Sequence, residues 1–265
     1  MSNEAPVALV VGASMGIGQA ICGFLADEGY DVACAARTAS KLERTAELVR
    51  AKGRRAVVAP CDVRDEAAVK ATVAKAVSEL GRLDVVVIAS GGPLAGVSFE
   101  KPKENDAFFG LMDGYTTQKI QQQDFDAIFD INFTGAKYCI DAAVRIMQEQ
   151  GKGRIVVVTS KAGKSREMIV PGMVPYAAAK AALNRYIEGV AFELMCMESE
   201  VAINAMNPGM VLASMHEELP AEEKEGFAKP EDTRDVFFAA LEGESGEFYS
   251  PGSLKTWAEE DAEAH

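Results

Sequence analysis

Histidine is scarce in this 265-residue chain: His216 and the last residue, His265, are the two present. That nearly excludes a histidine-ligated metal centre and a Ser-His-Asp hydrolase. Cysteine offers no substitute. Cys22, Cys34, Cys61, Cys139 and Cys196 are scattered, odd in number and free of CxxC spacing, which predicts buried, reduced thiols rather than a disulfide framework or a zinc site. No metal is expected. Positive charge is also short, with 27 Lys and Arg against 40 Asp and Glu and a formal net charge of -13. Such a surface repels nucleic-acid backbones and anionic membranes, so neither is expected as a partner. No apolar run approaches the roughly 20 residues that span a bilayer. Met1 to Pro6 has no basic segment leading into an apolar stretch, so a soluble, cytoplasmic protein is expected.

What the chain does have is apolar residues, 48% of the total, enough for a large core. They fall in short runs that alternate with helix-like segments. Val7 to Val11, Asp31 to Ala36, Arg55 to Ala59, Leu83 to Ala89, Arg154 to Ser160 and Val201 to Met206 read as strands. Ser40 to Lys52, Ala67 to Leu80, Phe125 to Gln150 and Pro175 to Glu198 read as helices, with Ser40 as an N-cap. This alternation predicts an α/β fold: one doubly wound, Rossmann-like domain over 1–265, with a mostly parallel sheet flanked by helices. Two stretches break the rhythm. One is an insertion at about 92–123, where a connection of such length is expected to serve function. The other is an acidic tail at 258–265, expected to fray.

Directly after the first strand comes Gly12-Ala13-Ser14-Met15-Gly16-Ile17-Gly18. A strand, a glycine-rich turn and a helix N-terminus together form an anion site, because free backbone N–H groups and the helix dipole converge there. A tight turn with close packing would use the same glycines. The spacing is GxxxGxG, neither GxGxxG nor the Walker pattern. An acid at the end of the second strand would bind a ribose 2′-OH and indicate NAD. This strand instead ends Ala35-Ala36-Arg37-Thr38, and a guanidinium at Arg37 suits a 2′-phosphate. NADP is therefore favoured, with NAD possible.

Tyr176 and Lys180 lie four residues apart in a helix-like run, so both side chains leave one face. A phenol, with an ordinary pKa of about 10, is a poor proton-transfer group near neutrality. A neighbouring ammonium favours the phenolate and brings it into range. The same spacing also occurs on ordinary exposed helices.

These residues together resemble the short-chain dehydrogenase/reductase family over nearly the whole chain. The family's glycine motif is similar to Gly12–Gly18, and its Tyr-x-x-x-Lys motif to Tyr176–Lys180. The resemblance implies a single Rossmann-like oxidoreductase domain that moves a hydride between nicotinamide and a carbonyl or secondary alcohol. It implies catalytic roles for Ser160, Tyr176, Lys180 and Asn132. Tyr176 is the general acid/base, Lys180 lowers its pKa and binds the nicotinamide ribose, and Ser160 holds the substrate oxygen. Asn132, in Asp130-Ile131-Asn132-Phe133, connects Lys180 to solvent protons. Cofactor contacts are implied at Gly12, Ser14, Met15, Gly16, Ile17 and Gly18, and then at Arg37 and Thr38. Asp62 and Val63 follow at the adenine, Gly91 after the fourth strand, and Tyr176 and Lys180 again at the ribose. Pro208, Gly209 and Val211 complete the set at the nicotinamide. A homodimer or homotetramer built on the long helices is also implied.

The chain departs from the family at Ile88-Ala89-Ser90-Gly91, where Asn-Asn-Ala-Gly is frequent, and at Ala213, where Thr is frequent. The alternatives are an NAD-dependent alcohol dehydrogenase of the same family, a dehydratase or epimerase on its scaffold, and a non-catalytic nucleotide-sensing module.

Overall fold

Val7 to Val11 holds no polar side chain, and the strand it forms (β1, Val7–Val11) is buried along its whole length. So are β2 (Asp31–Ala36) up to its last residue and β4 (Val85–Ile88). That is the signature of a sheet covered on both faces. The computed structural model describes residues 5–93, 95, 116–164, 171–212 and 224–251. Residues 96–115 of the expected insertion, Ala213, His216, the tail at 258–265 and His265 lie outside that set.

Among the described residues the sheet has seven strands, all parallel, in the order β3-β2-β1-β4-β5-β6-β7. The remaining strands are β3 (Ala56–Pro60), β5 (Lys152–Val158), β6 (Glu200–Met206) and β7 (Phe248–Tyr249). The helices are α1 (Gly16–Asp27), α2 (Ala39–Ala51), α3 (Glu66–Leu80), α4 (Gln122–Phe129), α5 (Gly135–Gln150), α6 (Val174–Cys196) and α7 (Arg234–Glu242). Side chains alternate across the strands and feed two cores. Val7, Leu9 and Val11 face the core beneath α3, α5 and α6. Ala8 and Val10 face the one beneath α1, α2 and α7. Strand order reverses between β1 and β4, and the crevice beyond their C-terminal ends is where such sheets bind ligands.

The structure corrects several expectations. Phe125 to Gln150 is not one helix: a π-helical turn, Asp130–Thr134, separates α4 from α5, and such turns often mark functional sites. Thr38, not Ser40, is the N-cap residue of α2, and it makes no side-chain cap bond. β5 starts at Lys152 and ends at Val158, so Ser160 lies beyond the strand rather than at its last position. Of the five thiols, Cys22, Cys34, Cys61 and Cys139 are buried, but Cys196 is exposed. Among the described residues no helix is long and apolar enough to cross a membrane, and no three His, Cys, Asp or Glu side chains converge where they could hold a metal ion.

Candidate active site

The turn after β1 is built by close approach. Gly12 has φ +92°, and a Cβ there would lie 2.6 Å from the carbonyl carbon of Ala89, so β1 and β4 exit almost in contact. A Cβ on Gly18 would collide with the Gly12 carbonyl oxygen, so α1 begins hard against the turn. The Gly12 and Ala13 N–H groups donate to Ala35 O at 2.7 and 3.0 Å, and Thr45 on α2 donates to Ala13 O at 2.8 Å. Met15 is the N-cap residue of α1 without a side-chain cap bond, and no acid occupies the first turn. The start of α1, at Gly16 and Ile17, thus offers backbone N–H groups and the positive end of the dipole to an anion. Ser14 is half-buried and Met15 exposed at this lip.

Arg37 and Thr38 emerge exposed at the end of β2. Beyond β3, Asp62 is forked by Arg64: Nη2 donates to Oδ2 at 2.6 Å, Nε to Oδ1 at 3.0 Å, and the Arg64 backbone N to Oδ1 at 3.0 Å. The Arg64 hydrogen bonds, reinforced by the charges of Arg64 and Arg37, hold the Asp62 carboxyl below the usual carboxylate range despite its partial burial. Val63 follows Asp62 in the connection after β3. It is buried against α5, where a Cβ on Gly135 would come within 2.7 Å of its Cγ2.

Past β5, Ser160 caps a 3-10 turn, Lys161–Gly163, and its Oγ accepts from Ala162 N at 3.1 Å. A Cβ on Gly163 would lie 2.6 Å from the Lys180 carbonyl carbon, so the turn rests on the backbone of α6. Pro175 lies in the first turn of that helix, and Tyr176, Lys180, Leu183, Asn184 and Ile187 lie on its buried face. Tyr176 is buried in an apolar cluster with Ile128, Ala162 and Ala177, against which Ile120 and Met173 pack. Burial pushes its phenol above the ordinary value, and a hydrogen bond with Ser160 pulls it back down. Lys180 is 3% exposed, lies 5.8 Å from the centre of the Tyr176 ring, and donates from Nζ to Val158 O at 3.0 Å. Burial lowers its pKa from 10.5 to about 8. Ser160 thus opposes the effect of burial on the phenol, while the Lys180 ammonium, beside the Tyr176 ring, is anchored on a strand carbonyl.

Asn132, wholly buried in the π turn, clamps the chain leaving β4. Nδ2 donates to Gly92 O at 3.0 Å and to Ile128 O at 2.9 Å, and Oδ1 accepts from Gly92 N at 2.9 Å. Gly91, at φ +132°, fits because a Cβ there would collide with Asn132 Oδ1, and that Cβ position lies 3.6 Å from Lys180 Nζ. Gly91, Asn132 and Lys180 thus meet. Both amide hydrogens of Asn132 are engaged, so a water chain to Lys180 has one Oδ1 lone pair to use from this side chain. Across the crevice, Pro208 is buried and Gly209 turns at φ +75°. Val211 then pairs with Ala228.

Residues 6–224 match the family model described as short chain dehydrogenase. The chain belongs to the short-chain dehydrogenase family. It is 34% identical over 217 residues to the short-chain reductase protein NovJ of Streptomyces niveus, covering 82% of this chain and 73% of that protein. Two solved structures are similar at a TM-score of 0.77. One is a short chain dehydrogenase from Burkholderia cenocepacia in complex with NADP, 26% identical, with 93% of this chain and 96% of that one covered. The other is carveol dehydrogenase from Mycobacterium avium in complex with NAD, 25% identical, with 95% and 98% covered.

In this short-chain dehydrogenase several site-building residues escape a local reading. Thr159 hydrogen-bonds Asn184, one turn beyond Lys180, so α6 grips the end of β5 twice. A polar residue at i+4 from Lys180 on a buried face was the available signal. The packing of Gly163 on α6 and the hydrogen bonds of the Asn207 side chain join segments distant in sequence. The depressed Lys180 sets a pH dependence of stability. Its folded value lies below 10.5, so between about 8 and 10.5 the unfolded chain binds more protons, and stability contributed by this group rises with pH across that window. In a thermal melting series, Lys180→Met should remove that rise; an unchanged slope would refute the assignment.

Proposed function

We propose that this short-chain dehydrogenase interconverts a carbonyl and a secondary alcohol with NADP(H), using Tyr176 as general acid in reduction and general base in oxidation. The observation that carries this reading is the phenol of Tyr176 buried against Ala162 of the Ser160 turn, with Lys180 one turn along the same helix and 5.8 Å from the ring centre. The crevice suits a dinucleotide on its own terms. A Cβ would clash at Gly12 and at Gly18, the α1 terminus is uncapped, and Ser90 Oγ is buried beside Gly12 with no hydrogen-bond partner among the described residues.

When bound, NADPH supplies the hydride. Gly12, Gly16 and Gly18 shape the pyrophosphate seat, which Ser14, Met15 and Ile17 line. Arg37 and Thr38 would hold the 2′-phosphate, Asp62 and Val63 the adenine, and Gly91, Pro208, Gly209 and Val211 the nicotinamide end. Ser160 Oγ donates to the substrate oxygen and stabilises the developing alkoxide. Tyr176 delivers the proton to that oxygen. Its raised pKa keeps it protonated, as reduction requires, until Ser160 and Lys180 favour the phenolate. The packing of Ile120 and Met173 on the Tyr176 cluster favours an apolar flank on the substrate. Phe192, Met195 and Met197, exposed near the end of α6, support a homodimer or homotetramer.

The likeness to carveol dehydrogenase bound to NAD favours a second reading, with NAD as cofactor. Arg37 separates the two. Hydrogen bonds to a charged group are worth about 1.5–3 kcal/mol. Arg37→Ala should therefore raise the KM for NADPH about 10- to 100-fold and leave that for NADH nearly unchanged in steady-state assays over a ketone and alcohol panel. Equal KM shifts, or none, would favour NAD.

A further inference from the structure

Asn207 has no role in the reaction as described so far, yet it sits where three chain segments meet. It follows β6 directly and is 5% exposed. Its backbone N donates to Tyr249 O at 2.8 Å, which fixes it to the end of β7. Its Oδ1 accepts from the backbone N of Lys161 at 3.3 Å and from that of Gly209 at 3.4 Å. Its Nδ2 approaches Ser250 Oγ at 3.3 Å. One side chain therefore bridges the turn capped by Ser160, the Pro208–Gly209 turn and the segment after β7.

These segments carry the two halves of the proposed reaction. Ser160 holds the substrate oxygen, and Pro208–Gly209 borders the nicotinamide. Neither turn is fixed by its own hydrogen bonds alone. The Ser160 turn is closed by Gly163 N to Ser160 O at 3.1 Å, and Gly209 at φ +75° reverses a chain whose next recorded pairing is Met210 with Ala228. A shared acceptor oxygen ties the positions of the two turns together, so a displacement of one displaces the other.

We propose that Asn207 is a positioning residue that sets the distance between the substrate oxygen at Ser160 and the nicotinamide at Gly209. This rests on the hydride-transfer reading above and adds to it a residue that touches neither reactant. Hydride transfer tolerates little misplacement, because a shift of about 1 Å in a reacting pair costs on the order of 100-fold in rate. Asn207→Ala removes the shared oxygen; Asn207→Asp keeps an acceptor at the same place and is the conservative rescue.

The test has two arms. In the cofactor-free protein, amide hydrogen exchange is followed by NMR. Asn207→Ala should speed exchange at Lys161 and Gly209 together, while the Ala205 amide, bonded to Glu247 O at 2.9 Å, keeps its wild-type rate. Asn207→Asp should retain both protections. In turnover, Asn207→Ala should lower kcat about tenfold or more with KM for NADPH little changed. It should also raise the deuterium isotope effect on kcat, and Asn207→Asp should recover most of the loss. Wild-type exchange rates at both amides, or wild-type kcat with an unchanged isotope effect, would overturn the proposal. If Asn207→Ala does not fold, Asn207→Ser, too short to reach both turns, takes its place. Failure of both to fold makes Asn207 a scaffold residue and also overturns it. A wild type that turns over nothing defeats the hydride-transfer reading, and the exchange arm then decides the bridge by itself.

Discussion

Tyr176→Phe should lower turnover about 10²–10⁴-fold, the usual worth of a positioned acid–base group, and leave NADPH affinity close to that of the wild type. The ring belongs to the apolar cluster of Ile128, Ala162 and Ala177, against which Ile120 and Met173 pack, and Phe keeps that apolar packing. What disappears is the hydroxyl, together with its bond to Ser160. The loss should therefore fall on kcat, with melting temperature nearly unchanged, because the phenol gains little from its buried position. Steady-state kinetics beside a cofactor titration reads both quantities. Turnover near that of the wild type would remove Tyr176 from the chemistry.

Gly163→Ala should be nearly as damaging, for a different reason. Gly163 does not need a left-handed conformation, since its φ is not positive. It needs space. A single methyl would lie 2.6 Å from the Lys180 carbonyl carbon and 2.7 Å from Ala181 N, backbone atoms of α6 that cannot rotate away. The Ser160 turn must lift off the helix carrying Tyr176 and Lys180. Overpacking of this kind costs about 1–3 kcal/mol, and a shift of about 1 Å between Ser160 and Tyr176 costs on the order of 100-fold in rate. Circular-dichroism melts and kcat measured on the folded fraction separate these effects. A folded Gly163→Ala enzyme with wild-type kcat would show that the close contact is incidental.

The sequence makes some of this architecture legible and hides the rest for physical reasons. β1 and β2 match their expected bounds because an apolar run buried on both faces leaves a local mark. The glycine turn, Tyr176 and Lys180 are legible because each fixed spacing reflects one backbone geometry. The break at Asp130–Thr134 is not, since helical periodicity runs straight through it. It coincides with the Asn132 clamp on Gly92, 40 residues away in sequence. β7 escapes notice because two residues carry no period; it exists through its pairing with Ala205 and Met206. The balance of forces on Tyr176 is hidden too. The spacing points to Lys180, whereas the turn that carries Ser160 rests on Gly163 packing on α6, a contact no local pattern records.

The most direct measurement supplies NADPH deuterated at the transferable hydrogen together with each ketone of a panel, and locates the label by mass spectrometry. The account predicts deuterium on the carbinol carbon of the product with wild-type enzyme, and loss of that product with Tyr176→Phe despite retained NADPH binding. Product formed without deuterium at that carbon, or formed equally well by Tyr176→Phe, would contradict it.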